Sequence, residues 1–226
     1  MVARLRKRLT YRVIAYRRSP KPISERLPSV LDRAALDDIE ALTNPRIQQE
    51  YAARKKVRPE DLANVSDEMV LASFAYSGAS RFTDGSFGVY YAAFELPTAI
   101  AESRYHTARF LAYTRSRPTH MYKRVLRARV EGRYDDLRGV DRSDPRYDPD
   151  PARYGSAQRH AREVYAAGTL DGIVYSSVRA RGGTCVVAFR PRLISGCETA
   201  GYLGYTYDGT AIDDVFRVAP VDELLD

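Results

Sequence analysis

The sequence has little cysteine and histidine, and it has no tryptophan. Its 226 residues include two cysteines, Cys185 and Cys197, and three histidines. The two cysteines form no CxxC unit, and the chain offers no Cys/His spacing typical of a zinc site. Two cysteines are also too few for the disulfide scaffold of a small secreted protein. We therefore expect no metal site and a reduced, cytoplasmic setting.

Long apolar runs are missing as well. The longest, at residues 88–94, is far shorter than the ~20 residues that span a bilayer. The basic start of the chain, residues 1–7, continues into Arg8, Thr10 and Arg12 instead of the apolar segment of a signal peptide. The sequence therefore predicts neither a membrane span nor a signal peptide.

Acidic residues are absent from the N-terminal end. The first 23 residues contain eight Lys or Arg and no Asp or Glu, although the whole chain has 36 basic and 29 acidic residues and a net charge of +7. Such a basic arm is typical either of a phosphate-contacting segment or of a solvated edge strand. A basic nucleic-acid-binding protein is therefore one alternative function. The other 203 residues, with 28 basic and 29 acidic, argue against it, because a dedicated binder spreads cations over one face.

Stretches of β-branched and aromatic residues, separated by glycine and proline, predict short strands between helices. Pro97 starts a predicted helix of about five turns, and Gly168 ends another. The predicted strands cover residues 10–16, 89–94, 121–130, 172–175, 184–189 and 215–218, and these two helices cover residues 97–115 and 156–167. This pattern predicts an α+β fold, a compact mixed β-sheet core with peripheral helices. We expect a single domain over residues 1–226 with a helical insertion at about 24–75.

Common nucleotide-binding and hydrolase motifs do not occur in the sequence. There is no GxGxxG after a strand, no GxxxxGK[ST] and no GxSxG. Three polar clusters stand where a strand meets a loop or a helix. They are Arg81 in a glycine-bounded loop, Glu102 one turn into a helix, and Ser176 and Ser177 shortly before Arg179. Taken alone, each is ordinarily a surface, solvated-helix or turn-capping residue.

Four short motifs together resemble the RES domain family. They are YRV at residues 11–13, RF at 81–82 followed by GVYYAA at 88–93, TAIAE at 98–102, and DGIVYSSVR with a following GG at 171–183. The family is named for an arginine, a glutamate and a serine, and the order and spacing agree here. The resemblance covers about residues 10–20 and 76–190.

The resemblance implies three catalytic residues and five that contact the substrate. These are, in that order, Arg81, Glu102 and Ser177, and then Arg12, Tyr11, Tyr90, Tyr91 and Ser176. The family often has proline before its serine, whereas this chain has Ser176 there. The serine role therefore stays open between Ser176 and Ser177.

The resemblance also implies a function. A RES protein is expected to be a toxin of a bacterial toxin–antitoxin pair, with a fold related to ADP-ribosyltransferases. It would cleave the nicotinamide–ribose bond of its substrate NAD by phosphorolysis, with inorganic phosphate as co-substrate, or by hydrolysis, and without a metal. Transfer of ADP-ribose to a cellular protein is the enzymatic alternative. The expected partner is an Xre-type antitoxin, and the complex is expected to contact nucleic acid only through that antitoxin. Within the complex the toxin can form a homo-oligomer.

The residue types suit this chemistry. Nicotinamide leaves as a neutral group, so catalysis rests on a carboxylate near the developing ribosyl cation and on anchoring of the rest of the substrate. The resemblance implies that Glu102 stabilises the ribosyl cation and that Arg12 and Arg81 hold the pyrophosphate. It also implies that Ser177 forms a hydrogen bond with the ribose or phosphate side of the substrate. A tyrosine ring would stack on nicotinamide. His106, four residues after Glu102 on the same helix face, is expected to be a structural neighbour.

Overall fold

In the part of the chain that the structure describes, seven strands and four α-helices form an α+β fold, as predicted. The computed structural model describes residues 1–16, 57, 59–62, 68–75 and 78–219. The helices among them are α1 (Pro59–Leu62), α2 (Glu68–Ala75), α3 (Leu96–Tyr113) and α4 (Gly155–Ala167). The strands are β1 (Val2–Ala15), β2 (Tyr90–Ala93), β3 (Thr119–Asp136), β4 (Gly172–Ser176), β5 (Thr184–Ala188), β6 (Ile194–Tyr207) and β7 (Ile212–Val218). The relation to ADP-ribosyltransferase folds stays a prediction.

The sheet is mixed and closes on itself. Its strands lie in the order β1-β2-β5-β4-β3-β6-β7, and β1 also pairs with β3. The antiparallel β1–β3 pairing extends along β1, which meets β2 at Tyr11 opposite Ala93. Strands β3 and β4 run parallel. Five strands therefore form a ring, and β6 and β7 extend the sheet beyond it.

The described basic residues of the N-terminal arm lie in β1, which begins at Val2 and not at Thr10 as predicted. The register shifts between Leu5 and Arg8, where Lys7 adopts a positive φ of 48°. A bulge of this kind interrupts the alternation on which strand prediction depends. The described part of the basic arm is therefore an integral strand of the sheet.

Strand β6 was missing from the sequence-based prediction. Its 14 residues include glycines at positions 196, 201 and 204, and glycine is depleted in strands. At Gly204 the structure supplies the reason for glycine. A Cβ built there would lie 2.2 Å from the ring of Phe216 on β7, so the bare backbone makes room for that ring.

Side chains alternate between two faces of the sheet. Ala93 on β2 pairs with Cys185 on β5, and Cys185 pairs with Tyr175 on β4. Paired residues project to the same side, so these three define what we call the site face. Their neighbours along the strands, such as Tyr90 and Val186, project to the other side, the back face. Helices α3 and α4 pack on the site face through buried alanines, whereas α2 packs on the back face.

Helix α3 lies across the site face and carries Glu102. It begins beside Pro97, as predicted, because the fixed φ of proline suits the first helical turn. Helix α4 ends at Gly168, whose φ of 67° is the left-handed conformation that the glycine predicted. No helix in the described ranges is long and apolar enough to cross a membrane.

The described parts of the predicted insertion, α1 and α2, are helical, while its residues 24–56 lie outside the described residues. Val70 and Phe74 of α2 pack into the back-face core with Tyr90. Asp61 of α1 is buried and accepts a hydrogen bond from Arg192 Nε at 2.8 Å. Helix α2 therefore belongs to the same core as the sheet, and α1 is joined to the segment before β6 by the buried Asp61.

Candidate functional site

Ser177 follows the last residue of β4, where the chain turns toward β5. Its amide donates to the Gly183 carbonyl at 2.8 Å, which closes the loop between the two strands. Its hydroxyl oxygen accepts from the amides of Arg179 at 3.0 Å and Ala180 at 2.9 Å. Both lone pairs are then in use, so the hydroxyl donates its proton elsewhere. The acceptor is Oε1 of Glu102, 2.6 Å away.

The Ser177 hydroxyl holds the Glu102 carboxylate from the protein side. Ser177 is 1% exposed, whereas the side chain of Glu102 is 22% exposed. A hydrogen bond to a carboxylate is short and strong, so it fixes one oxygen and leaves the group open on its outer side. The loop can approach α3 this closely because residue 183 is glycine. A Cβ at Gly183 would lie 2.3 Å from Thr98 Oγ1.

Two buried side chains on the site face complete the inner surroundings of Glu102. Cys185 Sγ lies 3.9 Å from Glu102 Oε1, and Tyr175 is the residue opposite Cys185 on the neighbouring strand β4. Burial, together with the Glu102 charge, raises the pKa of the Cys185 thiol, which therefore stays protonated. Neither residue was predicted from the sequence as part of the site. A signal was available for Tyr175, which stands two residues before Ser177 and so shares its face.

His106 contacts Glu102 from the solvent side. Its Nε2 lies 3.9 Å from Glu102 Oε2, and its side chain is 56% exposed. The four-residue spacing on one helix accounts for this contact. Within the part of the chain that the structure describes, no group of three or more His, Cys, Asp or Glu side chains could hold a metal ion.

Arg81 is buried, with 7% exposure, under the loop that follows β3. Its Nη1 donates to the carbonyls of Arg146 and Asp148, both at 2.9 Å, and its Nη2 donates to the Tyr154 hydroxyl at 3.3 Å. The guanidinium carbon also lies 4.4 Å from the centre of the Tyr154 ring. Three of its five N–H donors are thereby committed to protein groups. Arg81 fixes the loop at residues 137–154 and places a buried positive charge beside Tyr91.

Tyr11 and Tyr91 lie on the site face, because Tyr11 pairs with Ala93 and Tyr91 stands two residues before it. The Tyr91 hydroxyl accepts from the Phe82 amide at 2.9 Å and bonds to Ser80 Oγ at 3.0 Å. Burial raises the pKa of Tyr91 to about 12. The hydroxyl therefore stays neutral and ties the glycine-bounded loop to β2.

Arg12, Tyr90 and Ser176 project to the back face, since each is the strand neighbour of a site-face residue. Arg12 Nη1 donates to the Tyr91 carbonyl at 2.9 Å, and its guanidinium carbon lies 5.1 Å from the centre of the Tyr90 ring. Burial lowers the pKa of Arg12. The sheet separates these side chains from Glu102. The predicted substrate contacts of all three stay predictions.

The structure thus brings together five of the eight predicted site residues. Glu102, Ser177, Tyr11 and Tyr91 share the site face, and Arg81 is buried at its edge. The serine whose hydroxyl bonds the glutamate is Ser177. The arrangement offers a fixed carboxylate for a developing positive charge and cations for an anionic substrate.

Fold and site together define an α+β protein in which a helix-borne glutamate is held by a buried serine, with a buried arginine at the edge of the same face. Residues 59–208 match the RES domain. The chain therefore belongs to the RES domain family, as its four motifs predicted. At the level of the family, this membership connects it with NAD-related enzymatic activity of the toxin–antitoxin type.

The match extends from α1 into the loop after β6, so it includes segments outside the four motifs. The chain is also 28% identical over 207 residues to a protein of Sinorhizobium fredii (strain NBRC 101917 / NGR234) called uncharacterized protein y4oC. The aligned region covers 89% of this chain and 84% of that protein. The similarity therefore extends over most of both chains.

Proposed function

We propose that the protein cleaves the nicotinamide–ribose bond of NAD, and that Glu102 stabilises the ribosyl cation formed as the bond breaks. The observation that carries this proposal is the 2.6 Å bond from the buried Ser177 hydroxyl to Glu102 Oε1. A carboxylate already held in place needs no reorganisation when positive charge develops beside it. Membership of the RES domain family supports the choice of NAD as substrate.

The bond between the ribose C1′ and the nicotinamide nitrogen breaks with its electron pair going to the nitrogen. The pyridinium charge is thereby neutralised, and the positive charge passes to the ribose ring. The Ser177 hydroxyl holds Oε1 of Glu102, and the partly exposed Oε2 would face the positive charge of the ribose ring. No metal and no redox partner are required for this step.

Three acceptors complete the reaction in three different ways. An oxygen of inorganic phosphate gives ADP-ribose 1″-phosphate, water gives ADP-ribose and a proton, and a side chain of a protein gives ADP-ribosylated protein. We propose inorganic phosphate or water as the acceptor, because neither requires a second protein to bind at the site. An Xre-type antitoxin is the proposed partner that restrains the activity in the cell.

The experiment incubates purified protein with NAD, with and without inorganic phosphate, and identifies the products by mass. A third reaction with labelled NAD and cell lysate detects modified proteins as labelled bands. Loss of NAD with release of free nicotinamide supports the proposal, and the second product identifies the acceptor. Intact NAD in all three reactions contradicts it.

A further inference from the structure

Three arginines beside Glu102 are anchored by neutral groups instead of carboxylates. Arg81 is bound by backbone carbonyls and by Tyr154. Arg142 Nη1 donates to the Ser177 carbonyl at 2.8 Å, and its guanidinium carbon lies 5.3 Å from the centre of a tyrosine ring. Arg179 Nη2 donates to the Pro149 carbonyl at 2.5 Å. Neutral partners hold these guanidiniums in place and leave their charges uncompensated.

Arg179 is also stacked on the helix that carries Glu102. Its guanidinium carbon lies 3.4 Å from the centre of the Tyr105 ring on α3. Such a cation–π contact orients the flat guanidinium through its face and leaves most of its N–H donors available for hydrogen bonds. Its backbone amide meanwhile donates to Ser177 Oγ. One residue thus links the Ser177 hydroxyl, the helix and the loop after β3.

Acidic residues of the same loop are matched to other cations. Asp144 binds Arg146 at 2.8 Å, and Asp148 lies 3.7 Å from Arg153. Among the described residues, neither Arg142 nor Arg179 forms an ion pair with a carboxylate. The positive charge of these two side chains is therefore available to a ligand.

The anchoring points place the three guanidiniums around one location. Arg81 and Arg179 donate to the carbonyls of successive residues, Asp148 and Pro149, and consecutive Cα atoms are about 3.8 Å apart. Arg142 donates to the carbonyl of Ser177, whose hydroxyl binds Glu102. The field of both Arg81 and Arg179 reaches the His106 ring next to Glu102.

The donors still available differ between the three. Arg81 is buried and has committed three of its five N–H groups, whereas Arg142 and Arg179 have each committed one. Arg142 is exposed and Arg179 is half-buried, so both are open to solvent. A phosphate group takes several N–H donors at once, and guanidinium forks suit it. Arg142 and Arg179 are better placed than Arg81 to contact it directly.

We propose that Arg142 and Arg179 form a phosphate-binding pair beside Glu102, with Arg81 behind them as a fixed positive charge. This inference deepens the proposed function, because it names the residues that recognise the anionic part of its substrates. The ligand is a phosphoryl oxyanion, which is either the pyrophosphate of the dinucleotide or free inorganic phosphate. The resemblance to the RES domain family implies Arg12 and Arg81 as the residues that hold the pyrophosphate.

The test measures binding separately from turnover. Glu102→Gln, which keeps the size of the side chain, serves as the background. Titration calorimetry with ADP-ribose, inorganic phosphate and adenosine compares this background with added Arg142→Gln or Arg179→Gln. Arg138→Gln is the matched control, because Arg138 is an exposed arginine of the same segment that pairs with Asp136 at 2.6 Å. Arg179→Lys keeps the charge and removes the fork.

Each glutamine variant is expected to weaken binding of a phosphate-bearing ligand about 10- to 100-fold, the effect of losing a charge-assisted hydrogen bond. Arg138→Gln is expected to leave that affinity unchanged, Arg179→Lys to recover part of it, and adenosine to show no dependence on either arginine. Weakened ADP-ribose binding alone identifies the pyrophosphate as the ligand, and weakened phosphate binding identifies the free anion. Either outcome supports the proposal.

Folded glutamine variants that bind ADP-ribose and phosphate as tightly as the background would overturn it, with folding checked by circular dichroism. Absence of measurable binding of both ligands to the background itself would overturn it as well. If NAD stays intact in the turnover assay while ADP-ribose binding still depends on Arg142 and Arg179, the proposed function fails and the phosphate-binding pair stands.

Discussion

Replacing Ser177 by alanine removes the hydroxyl that holds Glu102 and leaves the rest of the loop in place. The lost bond, 2.6 Å long, goes to a carboxylate, and such bonds contribute about 1.5–3 kcal/mol. The amides of Arg179 and Ala180 also lose their acceptor, although water reaches both half-buried residues. We expect the free energy of unfolding to fall by about 1.5–3 kcal/mol.

Ser177→Ala is expected to lower activity as well as stability. A carboxylate freed from its anchor no longer meets the developing charge in one fixed orientation, so we expect kcat for NAD cleavage to fall about 10- to 100-fold. Initial rates and urea unfolding on the same preparations measure the two effects. The double variant with Glu102→Gln is expected to be no slower than Glu102→Gln alone, because the hydroxyl acts through the carboxylate. Ser177→Ala with a normal kcat and reduced stability would refute the positioning role and leave Ser177 as a turn cap.

Three further predictions concern charge pairs and the buried thiol. Asp144 accepts three hydrogen bonds from Arg146, which hold its pKa at about 2 against an ordinary 3.8. Asp144→Asn should therefore cost about 1 kcal/mol of stability at neutral pH, after allowance for solvent screening. This cost should vanish as the pH falls from about 4 through 2, and urea unfolding at several pH values measures it. Asp61→Ala removes a buried carboxylate from Arg192, which is half-exposed, and from Arg190, which keeps its pair with Asp171. It should cost about 1–3 kcal/mol in urea unfolding, against under about 1 kcal/mol for the exposed pair at Arg127. Cys185, buried and protonated, should react with a thiol reagent in a Cys197→Ser background only after urea is added.

Each of these predictions has a clear contrary result. A stability cost of Asp144→Asn that does not change with pH would show that the lost hydrogen bonds do not depend on its charge. Equal costs at Asp61 and Arg127 would show that burial does not decide the strength of these pairs. Rapid labelling of the Cys185 thiol in the folded protein would show that the surroundings of Glu102 are open to reagents.

Much of the fold was predictable because its signals are local. The start of α3 at Pro97 and the end of α4 at Gly168 follow from the backbone preferences of single residues. Strand β6 escaped prediction because its glycines are explained by a ring on the next strand, which is a contact between distant positions. The early start of β1 escaped for a similar reason, since its bulge depends on pairing with β3.

The site residues likewise divide into those that the sequence indicates and those whose position depends on the tertiary structure. The order of the four motifs, through the resemblance to the RES domain family, implies Arg81, Glu102 and either Ser176 or Ser177 as site residues. Which side of the sheet each strand residue faces depends on register, and register assigned Tyr11 and Tyr91 to the site face and Arg12 to the back face. The loop at residues 137–154 approaches Glu102 only through tertiary contacts. No sequence motif therefore drew attention to Arg142.

Release of nicotinamide from NAD by paired glutamate variants tests the central claim most directly. Glu102→Gln removes the charge at the proposed centre, and Glu163→Gln makes the same change on the exposed side of α4. With matched protein concentrations and circular dichroism spectra, the protein and Glu163→Gln are expected to release nicotinamide at equal rates. Glu102→Gln is expected to be slower by at least about 100-fold, as for loss of a group that acts on the transition state. Equal release by all three proteins, or no release by any of them, would contradict the assignment of NAD cleavage to Glu102.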